Sequence, residues 1–199
     1  MKNVEVMDLL VKIYDGYIPT QTEKQELTEI QELIWEKAGQ IPSSIRLLTG
    51  MQSLVLANET ISNFPAEIYQ LANLKELILS STHIEELSAK ICNLINLKSL
   101  DLSSTQISEL PPEICQLTNL ESLDLGHTPI SKLPSGINQL LNLKKLDLSY
   151  TNIRELPPEI SQLININSLN LTNMQISEVP EVIFQLPNLM ILGLGAPHR

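Results

Sequence analysis

Hydrophobic positions recur every 23 residues along most of the chain. One column of leucine and isoleucine, preceded each time by asparagine, comprises Leu74, Leu97, Leu120, Leu143, Ile166 and Leu189. Two further columns comprise Leu77, Leu100, Leu123, Leu146, Leu169 and Leu192, and Leu79, Leu102, Leu125, Leu148, Leu171 and Leu194. Isoleucine columns comprise Ile84, Ile107, Ile130, Ile153 and Ile176, and Ile91, Ile114, Ile137, Ile160 and Ile183. A fixed period of this length is the signature of a repeat architecture.

Each period contains two kinds of local pattern. Residues 99–103, SLDLS, alternate polar and apolar positions, which predicts a short strand with one buried face. Residues 110–120, LPPEICQLTNL, space their apolar side chains three or four apart after proline, which predicts a short helical or 3₁₀ segment. One coil cannot bury its own leucines, but stacked coils can, with their strands aligned in a parallel sheet. The sequence therefore predicts an α/β solenoid.

The full pattern, L-x-x-L-x-L-x-x-T-x-I-x-x-L-P-x-x-I-x-x-L-x-N, resembles the 23-residue leucine-rich repeats. Its proline half is most similar to the intracellular Ras-group type, and LSYTNIRELP (148–157) is also similar to plant nucleotide-binding resistance proteins. The resemblance implies a horseshoe of about seven coils over residues 41–199, with the parallel sheet on its concave side. Family members usually carry asparagine where this chain has Thr82, Thr105, Thr128 and Thr151. We expect these threonines to do part of the asparagine's work of bonding neighbouring coils together.

Residues 1–40 lie outside the repeat and predict a helical N-terminal cap. Val6, Leu9, Leu10 and Ile13 have helical spacing, and GYIP (16–19) interrupts the pattern. Thr20 and Glu23 then suit a capping box, and Gly39 suits a helix stop. A single helix face is predicted to carry Leu27, Ile30, Leu33 and Ile34, with Trp35 docking the helices onto the first coil. Such a cap shields the end of a solenoid core; a helix pair that binds a partner or another copy is the alternative.

The other end of the repeat predicts an uncovered edge. The sequence ends in ILGLGAPHR (191–199) at the last predicted strand, without a polar capping element. An open parallel edge offers unpaired backbone groups to another chain. Self-association through this edge is therefore one alternative function. The other explanation of the uncovered edge is that the chain is a fragment of a longer protein.

Composition narrows the class of protein further. Aromatic residues make up only 4% of the chain, so the core has to be built from leucine and isoleucine. The formal net charge of −10 disfavours both nucleic acids and anionic membranes as partners. No stretch approaches the roughly 18 apolar residues of a membrane span, and the first residues lack the features of a signal peptide. Two cysteines, Cys92 and Cys115, fit a reducing compartment. We expect a cytoplasmic protein, with a secreted form whose signal was removed as the alternative.

Three aspartates occupy one column between the strand leucines. Asp101, Asp124 and Asp147 should stack about 4.8 Å apart on the outward face of the sheet. A cation site needs converging ligands, whereas these carboxylates lie in a line, so we favour solvated or serine-bonded aspartates over a metal site. Mutual repulsion should raise their pKa values and favour a basic partner. An open face offers no buried nucleophile or oxyanion hole, so we expect neither catalysis nor a cofactor.

The variable positions on the sheet face are the candidate binding residues. They are Glu76, Ile78, Asp101, Asp124, His127, Lys145, Asp147, Tyr150, Asn170 and Asn173. Tyr150 and His127 have the amphipathic character of contact hot spots. We therefore predict a non-catalytic module that binds a protein on its concave face, as an adaptor, sensor or decoy. The recognition part of a longer enzyme or of an immune-type receptor is a further alternative.

Overall fold

The computed structural model describes residues 2–35, 41–56, 61–63, 65–176 and 178–194. The helices are α1 (Asn3–Tyr14) and α2 (Gln21–Glu29). The strands are β1 (Glu32–Ile34), β2 (Ser53–Val55), β3 (Glu76–Ile78), β4 (Ser99–Asp101), β5 (Ser122–Asp124), β6 (Lys145–Asp147), β7 (Ser168–Leu171) and β8 (Ile191–Leu194). The 3₁₀ helices are η1 (Ser43–Leu47), η2 (Ala66–Gln70), η3 (Ala89–Asn93), η4 (Pro112–Gln116), η5 (Ile137–Gln139), η6 (Pro158–Gln162) and η7 (Glu181–Gln185).

All of these strands form one parallel sheet in chain order, β1 to β8. From β2 onward, each residue lies opposite the residue 23 positions later, so the sequence period is also the sheet register. Leu100, Leu123 and Leu146 are at most 2% exposed, whereas their strand neighbours stay accessible. The predicted α/β solenoid with a parallel sheet is confirmed.

The second half of each coil is a 3₁₀ helix, as the proline pattern predicts. In η4, Pro111 precedes the helix and Pro112 opens it, while the Leu117 amide closes it on the Ile114 carbonyl oxygen. Ile114 is fully buried and contributes to the continuous core. A Pro N-terminal to such a helix removes an N–H that would otherwise lack an intrahelical partner. Where Ser88 replaces this proline, its hydroxyl accepts a hydrogen bond from the Lys90 amide.

The N-terminal helices confirm one prediction and correct another. Thr20 Oγ1 accepts a hydrogen bond from the Glu23 amide, and the Glu23 carboxylate accepts one from the Thr20 amide, which forms the predicted capping box. The prediction of one helix face continuing to residue 34 is wrong, because α2 ends at Glu29 and Glu32–Ile34 form β1. The first coil overrides the local helical pattern: the Gln31 carbonyl oxygen accepts hydrogen bonds from the amides of residues 52 and 53.

The helices lie against the first coil, where the Ser44 hydroxyl donates a buried hydrogen bond to the Leu10 carbonyl oxygen at 2.6 Å. Trp35 is buried directly after β1, and its amide donates to the Val55 carbonyl oxygen. Gly39, predicted as the helix stop, and residues 195–199 at the C-terminal end lie outside the described residues. A division of the chain at residue 40 into cap and solenoid stays a prediction.

The threonine column bonds within its own coil, which corrects the expectation that it joins neighbouring coils. Thr105 Oγ1 donates to the Leu102 carbonyl oxygen at 2.7 Å, and Thr82, Thr128 and Thr151 make the equivalent bond. All four side chains are at most 2% exposed. The short side chain ends at its own turn, where the hydroxyl satisfies a buried carbonyl group.

A regular series of side-chain bonds between coils comes instead from the asparagine column. Each Nδ2 donates at 2.7–2.9 Å to a carbonyl oxygen 24 residues earlier. The pairs are Asn73 with Thr49, Asn96 with Ala72, Asn119 with Ile95, Asn142 with Thr118, Asn165 with Leu141, and Asn188 with Ile164. This ladder runs beside the loop between each 3₁₀ helix and the next strand, and it fixes the stacking that positions the sheet face.

Candidate functional site

The sheet face, meaning the outward side chains of β3–β7 and the turns that follow them, contains all ten predicted binding residues. Glu76 and Ile78 lie on β3, Asp101 on β4, Asp124 on β5, Lys145 and Asp147 on β6, and Asn170 on β7. His127, Tyr150 and Asn173 lie in the turns. The register brings Asp101, Asp124 and Asp147 side by side as predicted, while Glu76 and Asn173 stay at opposite ends of this surface.

Asp101, Asp124 and Asp147 form a row across three strands, and the two outer aspartates accept hydrogen bonds from serine. The Ser103 amide and hydroxyl both donate to Asp101 Oδ1, at 2.9 and 2.6 Å. The Ser149 amide and hydroxyl donate to Asp147 Oδ1 in the same way, and Asn170 Nδ2 donates to Asp147 Oδ2 at 2.8 Å. These bonds agree with the interpretation of the row as serine-bonded aspartates. Among the described residues, no three His, Cys, Asp or Glu side chains converge on a position that could hold a metal ion.

Asp124, in the middle of the row, accepts fewer hydrogen bonds than its two neighbours. Gly126 takes the place of the serine, so within the described residues Asp124 accepts only the Gly126 amide, at 2.9 Å. Burial raises the pKa of Asp124, and the neighbouring charges of Asp147 and Asp101 raise it further, against the opposing effect of the Gly126 hydrogen bond. The predicted repulsion therefore acts at this position, although desolvation is the larger cause. Asp124 is the carboxylate that would gain most from a cationic partner group.

An aromatic pair lies near this carboxylate, and the charge of His127, one of its members, lowers the pKa of Asp124. The rings of His127 and Tyr150 stack with their centroids 4.2 Å apart and their planes 13° from parallel. Tyr150 remains 50% exposed and His127 is exposed as well. The sequence predicts both residues as contact residues but does not predict that their rings stack. The 23-residue spacing could have indicated this contact, because residues 127 and 150 are one period apart and so occupy neighbouring coils.

Backbone conformation explains why these rings project together. In the part of the chain that the structure describes, every residue of this column has a positive φ between 53° and 58°, namely Ser81, Ser104, His127, Tyr150 and Asn173. The left-handed turn lets the chain leave the strand and still bond to the next coil: the His127 amide donates to the Ser149 carbonyl oxygen, and the Tyr150 amide to the Thr172 carbonyl oxygen. A bulky residue such as tyrosine rarely adopts this conformation, which costs roughly 1–2 kcal/mol for a side chain with Cβ, whereas histidine is among the residue types enriched in it. The sequence gives only a weak sign of the turn, because Ser81, Ser104 and Tyr150 do not belong to the residue types that are enriched at positive φ.

A charge cluster flanks the row at the start of the strands. The Glu121 carboxylate accepts hydrogen bonds from Lys98 at 3.0 Å and from Lys144 at 2.6 Å. These two bonds lower the pKa of Glu121. The lysines therefore already have a carboxylate partner, and the Asp101–Asp147 row keeps its negative character. The Ser103 hydroxyl is engaged with Asp101, so Ser103 and His127 do not form a nucleophile and base.

Comparison with known proteins agrees with this architecture. A family profile described as a leucine-rich repeat region matches residues 85–146, and a second, described as a leucine-rich repeat, matches residues 142–163. A solved structure of a leucine-rich repeat protein from Leptospira interrogans is similar over 88% of this chain, with 36% sequence identity and a TM-score of 0.80. The similarity covers 45% of that protein, so this chain spans less than half of its length. Among curated proteins, no significant match is found.

The fold thus defines a solenoid of short parallel strands and 3₁₀ helices. The chain is a leucine-rich repeat protein. Domains of this kind are in general protein-binding modules that use their extended inner surface. Within the described ranges, neither helix combines the length and apolar character needed to cross a membrane. The Ras-group subtype and the similarity to plant resistance proteins stay predictions.

Proposed function

We propose that this chain is a non-catalytic binding module that holds a protein partner on its sheet face, centred on β5 and β6. The single observation that carries the proposal is the stacked His127–Tyr150 pair beside the incompletely bonded Asp124. Exposed aromatic rings next to a half-buried carboxylate that accepts few hydrogen bonds form a surface suited to binding a partner. Tyrosine supplies a large contact area, and its side chain loses little conformational entropy on binding.

The chemistry of this surface favours a partner segment that carries lysine or arginine. Asp101, Asp124 and Asp147 present negative charge across three adjacent strands. A guanidinium or ammonium group near Asp124 could also contact the free face of the Tyr150 ring, where cation–π attraction contributes about 0.5–2 kcal/mol. Charge complementarity of this kind mainly increases the association rate and weakens with added salt. We place this activity in the cytoplasm, which is consistent with the free thiols of Cys92 and Cys115.

The proposal is tested with substitutions that the chain itself uses in equivalent coils. Asn170 occupies the column of Asp124, and Ser104 occupies the column of Tyr150, so Asp124→Asn with Tyr150→Ser keeps side chains that the fold accommodates. Wild type and this double variant are used as baits, the retained partner is identified by mass spectrometry, and its affinity for each bait is measured by biolayer interferometry. We expect the double variant to bind the partner at least about tenfold more weakly.

The matched control is Glu109→Gln with Tyr14→Ser, which removes one carboxylate and one exposed tyrosine away from the sheet face. This control should bind the partner as wild type does. Equal retention of the same partner by all three baits would contradict a binding site at β5 and β6. A loss of binding in the control alone would assign the site to another surface.

A further inference from the structure

The first three strands present apolar side chains on the outward face of the sheet. In the register of the sheet, Ile34 on β1 lies beside Val55 on β2, and Val55 lies beside Ile78 on β3. Ile34 is 50% exposed, and Val55 and Ile78 are partly accessible although each lies between two strands. Single exposed apolar residues are common on proteins, but these three are neighbours on one surface. We call Ile34, Val55 and Ile78 the apolar row.

The repeat shows that the fold does not require apolar residues at these positions. In later coils the same column contains Asp101, Asp124, Asp147 and Asn170. These polar residues also lie between two strands, so stacking of the coils accommodates either kind of side chain. The core is on the other side of the sheet, where the neighbouring Leu54 and Leu77 are fully buried. Core packing therefore does not explain the apolar row, which indicates a contact with another molecule.

The first strand of the row is fixed by the N-terminal helix. Asn3 Nδ2 donates to the Ile34 carbonyl oxygen at 2.7 Å, and the Ile34 amide donates to Asn3 Oδ1 at 3.3 Å. One side-chain carboxamide thus pairs with both backbone groups of Ile34, much as a peptide group of a neighbouring strand would. These bonds hold Ile34 in register with Val55, so the row is a preformed surface.

Charge decides which partner chemistry fits beside the apolar row. Glu32 and Glu76 lie in the neighbouring outward column, and Asp101 directly follows the row. Among the outward positions of β1–β7, Lys145 is the one basic side chain. A wholly apolar partner would cover these carboxylates without pairing them, which is unfavourable. A partner that carries both an apolar residue and a basic residue satisfies both parts of the surface.

We propose that the apolar row extends the binding surface at β5 and β6, and that the partner is a protein segment with an apolar residue on this row and a lysine or arginine at Asp124. This inference rests on the proposed function, because it concerns the same sheet face. Ile78 and Val55 are two and three strands away from Asp124, or roughly 10–14 Å at about 4.8 Å per strand. An extended segment covers this distance with about three or four residues.

The first experiment is selection of random dodecapeptides displayed on phage, with the full chain as the immobilised bait. A dodecapeptide is too short to form a stable helix alone in water, so it samples the extended conformation. Wild type should enrich peptides in which Leu, Ile, Val, Met or Phe lies about three or four residues from Lys or Arg. Val55→Asn with Ile78→Asn should enrich basic residues without this apolar residue, whereas Asp124→Asn with Tyr150→Ser should enrich the apolar residue without the basic one.

The second experiment measures the affinity of one enriched peptide, labelled with fluorescein, by fluorescence polarisation. Asn170 occupies the column of Val55 and Ile78, so Val55→Asn with Ile78→Asn removes apolar surface, adds no charge and is expected to fold. This double variant should bind the peptide at least about tenfold more weakly. Ile78→Val, which introduces the residue that Val55 places in the same column, should weaken binding only about two- to fourfold, because it removes one methylene-sized group.

The matched control is Ile95→Thr with Leu141→Thr, because Thr118 occupies the same column in the coil between them. Ile95 and Leu141 are 59% and 52% exposed, and they lie in the turns that follow η3 and η5, away from the sheet face. This control should bind the peptide as wild type does, and circular dichroism should show that every variant is folded.

The outcomes separate this inference from the proposed function. Wild-type enrichment of basic residues without a neighbouring apolar residue would overturn the inference and leave the proposed function standing. Equal affinity of the enriched peptide for wild type and for Val55→Asn with Ile78→Asn would overturn the inference in the same way. Enrichment that Asp124→Asn with Tyr150→Ser leaves unchanged would contradict the proposed function, and the inference with it. A selection that enriches no sequence would overturn the inference as well.

Discussion

Asparagine side chains bond each coil to the one before it, and replacing one of them tests how the solenoid is held together. Asn119 Nδ2 donates to the Ile95 carbonyl oxygen at 2.8 Å. The substitution Asn119→Ala removes this bond and leaves the carbonyl oxygen to water, because the site is exposed. A net loss of about 0.5–1.5 kcal/mol in the free energy of unfolding is expected for a hydrogen bond of this kind.

Asn119→Asp is the sharper perturbation because it keeps the shape and removes the donor. At neutral pH the carboxylate would face the Ile95 carbonyl oxygen at the distance of the former bond, and the two oxygens repel. We expect this variant to lose roughly 1–3 kcal/mol, more than the alanine variant. The folded environment disfavours the charged carboxylate, so the pKa of the new side chain lies above its unfolded value. Part of the loss should therefore disappear as the pH falls and a protonated carboxyl group can donate.

The assay is urea unfolding followed by circular dichroism at neutral pH and at about pH 4, where an unperturbed aspartate is near half-protonated. The matched control is Gln116→Glu, an amide-to-carboxylate change at an exposed position of the same coil. The reasoning is refuted if Asn119→Asp and Gln116→Glu have the same stability at neutral pH. It is refuted as well if the difference between them does not shrink at the lower pH.

Three other predictions concern single positions. The pKa of folded Asp124 lies above its unfolded value, so its contribution to the free energy of unfolding falls as the pH rises through the window between the two values. Urea unfolding at several pH values should therefore show the stability of wild type relative to Asp124→Asn decreasing across that window; a difference that does not change with pH would contradict the shift. Gly50→Ala should cost about 1–3 kcal/mol in the same assay at neutral pH, because a Cβ there would collide with the carbonyl oxygen of Thr28 in α2. Burial raises the pKa of the Cys115 thiol to about 11, so peptide mass spectrometry after iodoacetamide treatment at neutral pH should show Cys92 labelled first; faster labelling of Cys115 would contradict its burial.

The strands and the register of the sheet were predictable because one period fixes both. Asp101, Asp124 and Asp147 share a column, and parallel stacking of equal coils must place them in adjacent strands. The 3₁₀ helices were predictable for a similar reason, since proline and the spacing of isoleucine and leucine are local properties. Sequence reasoning was strongest where a local pattern and the repeat required the same structure.

The errors arose where contacts with other elements decide between two local possibilities. Leu27, Ile30, Leu33 and Ile34 fit a helix face, but an open sheet edge beside β2 draws Glu32–Ile34 into strand β1. The hydroxyl of Thr105 can bond in several directions, and only the folded turn shows that its own coil provides the acceptor. The left-handed turn at Tyr150 is likewise set by the hydrogen bond to the next coil, which residue type alone does not indicate.

Hydrogen exchange of the protein bound to its captured partner tests the central claim, that the sheet face is the binding site. Mass spectrometry would compare exchange in peptides that cover β5 and β6 with their turns, residues 122–128 and 145–151, and in peptides that cover η4 and η5. We predict slower exchange in the first group, centred on Asp124 and Tyr150, and unchanged exchange in the second. Slower exchange confined to the 3₁₀ helices would contradict the claim.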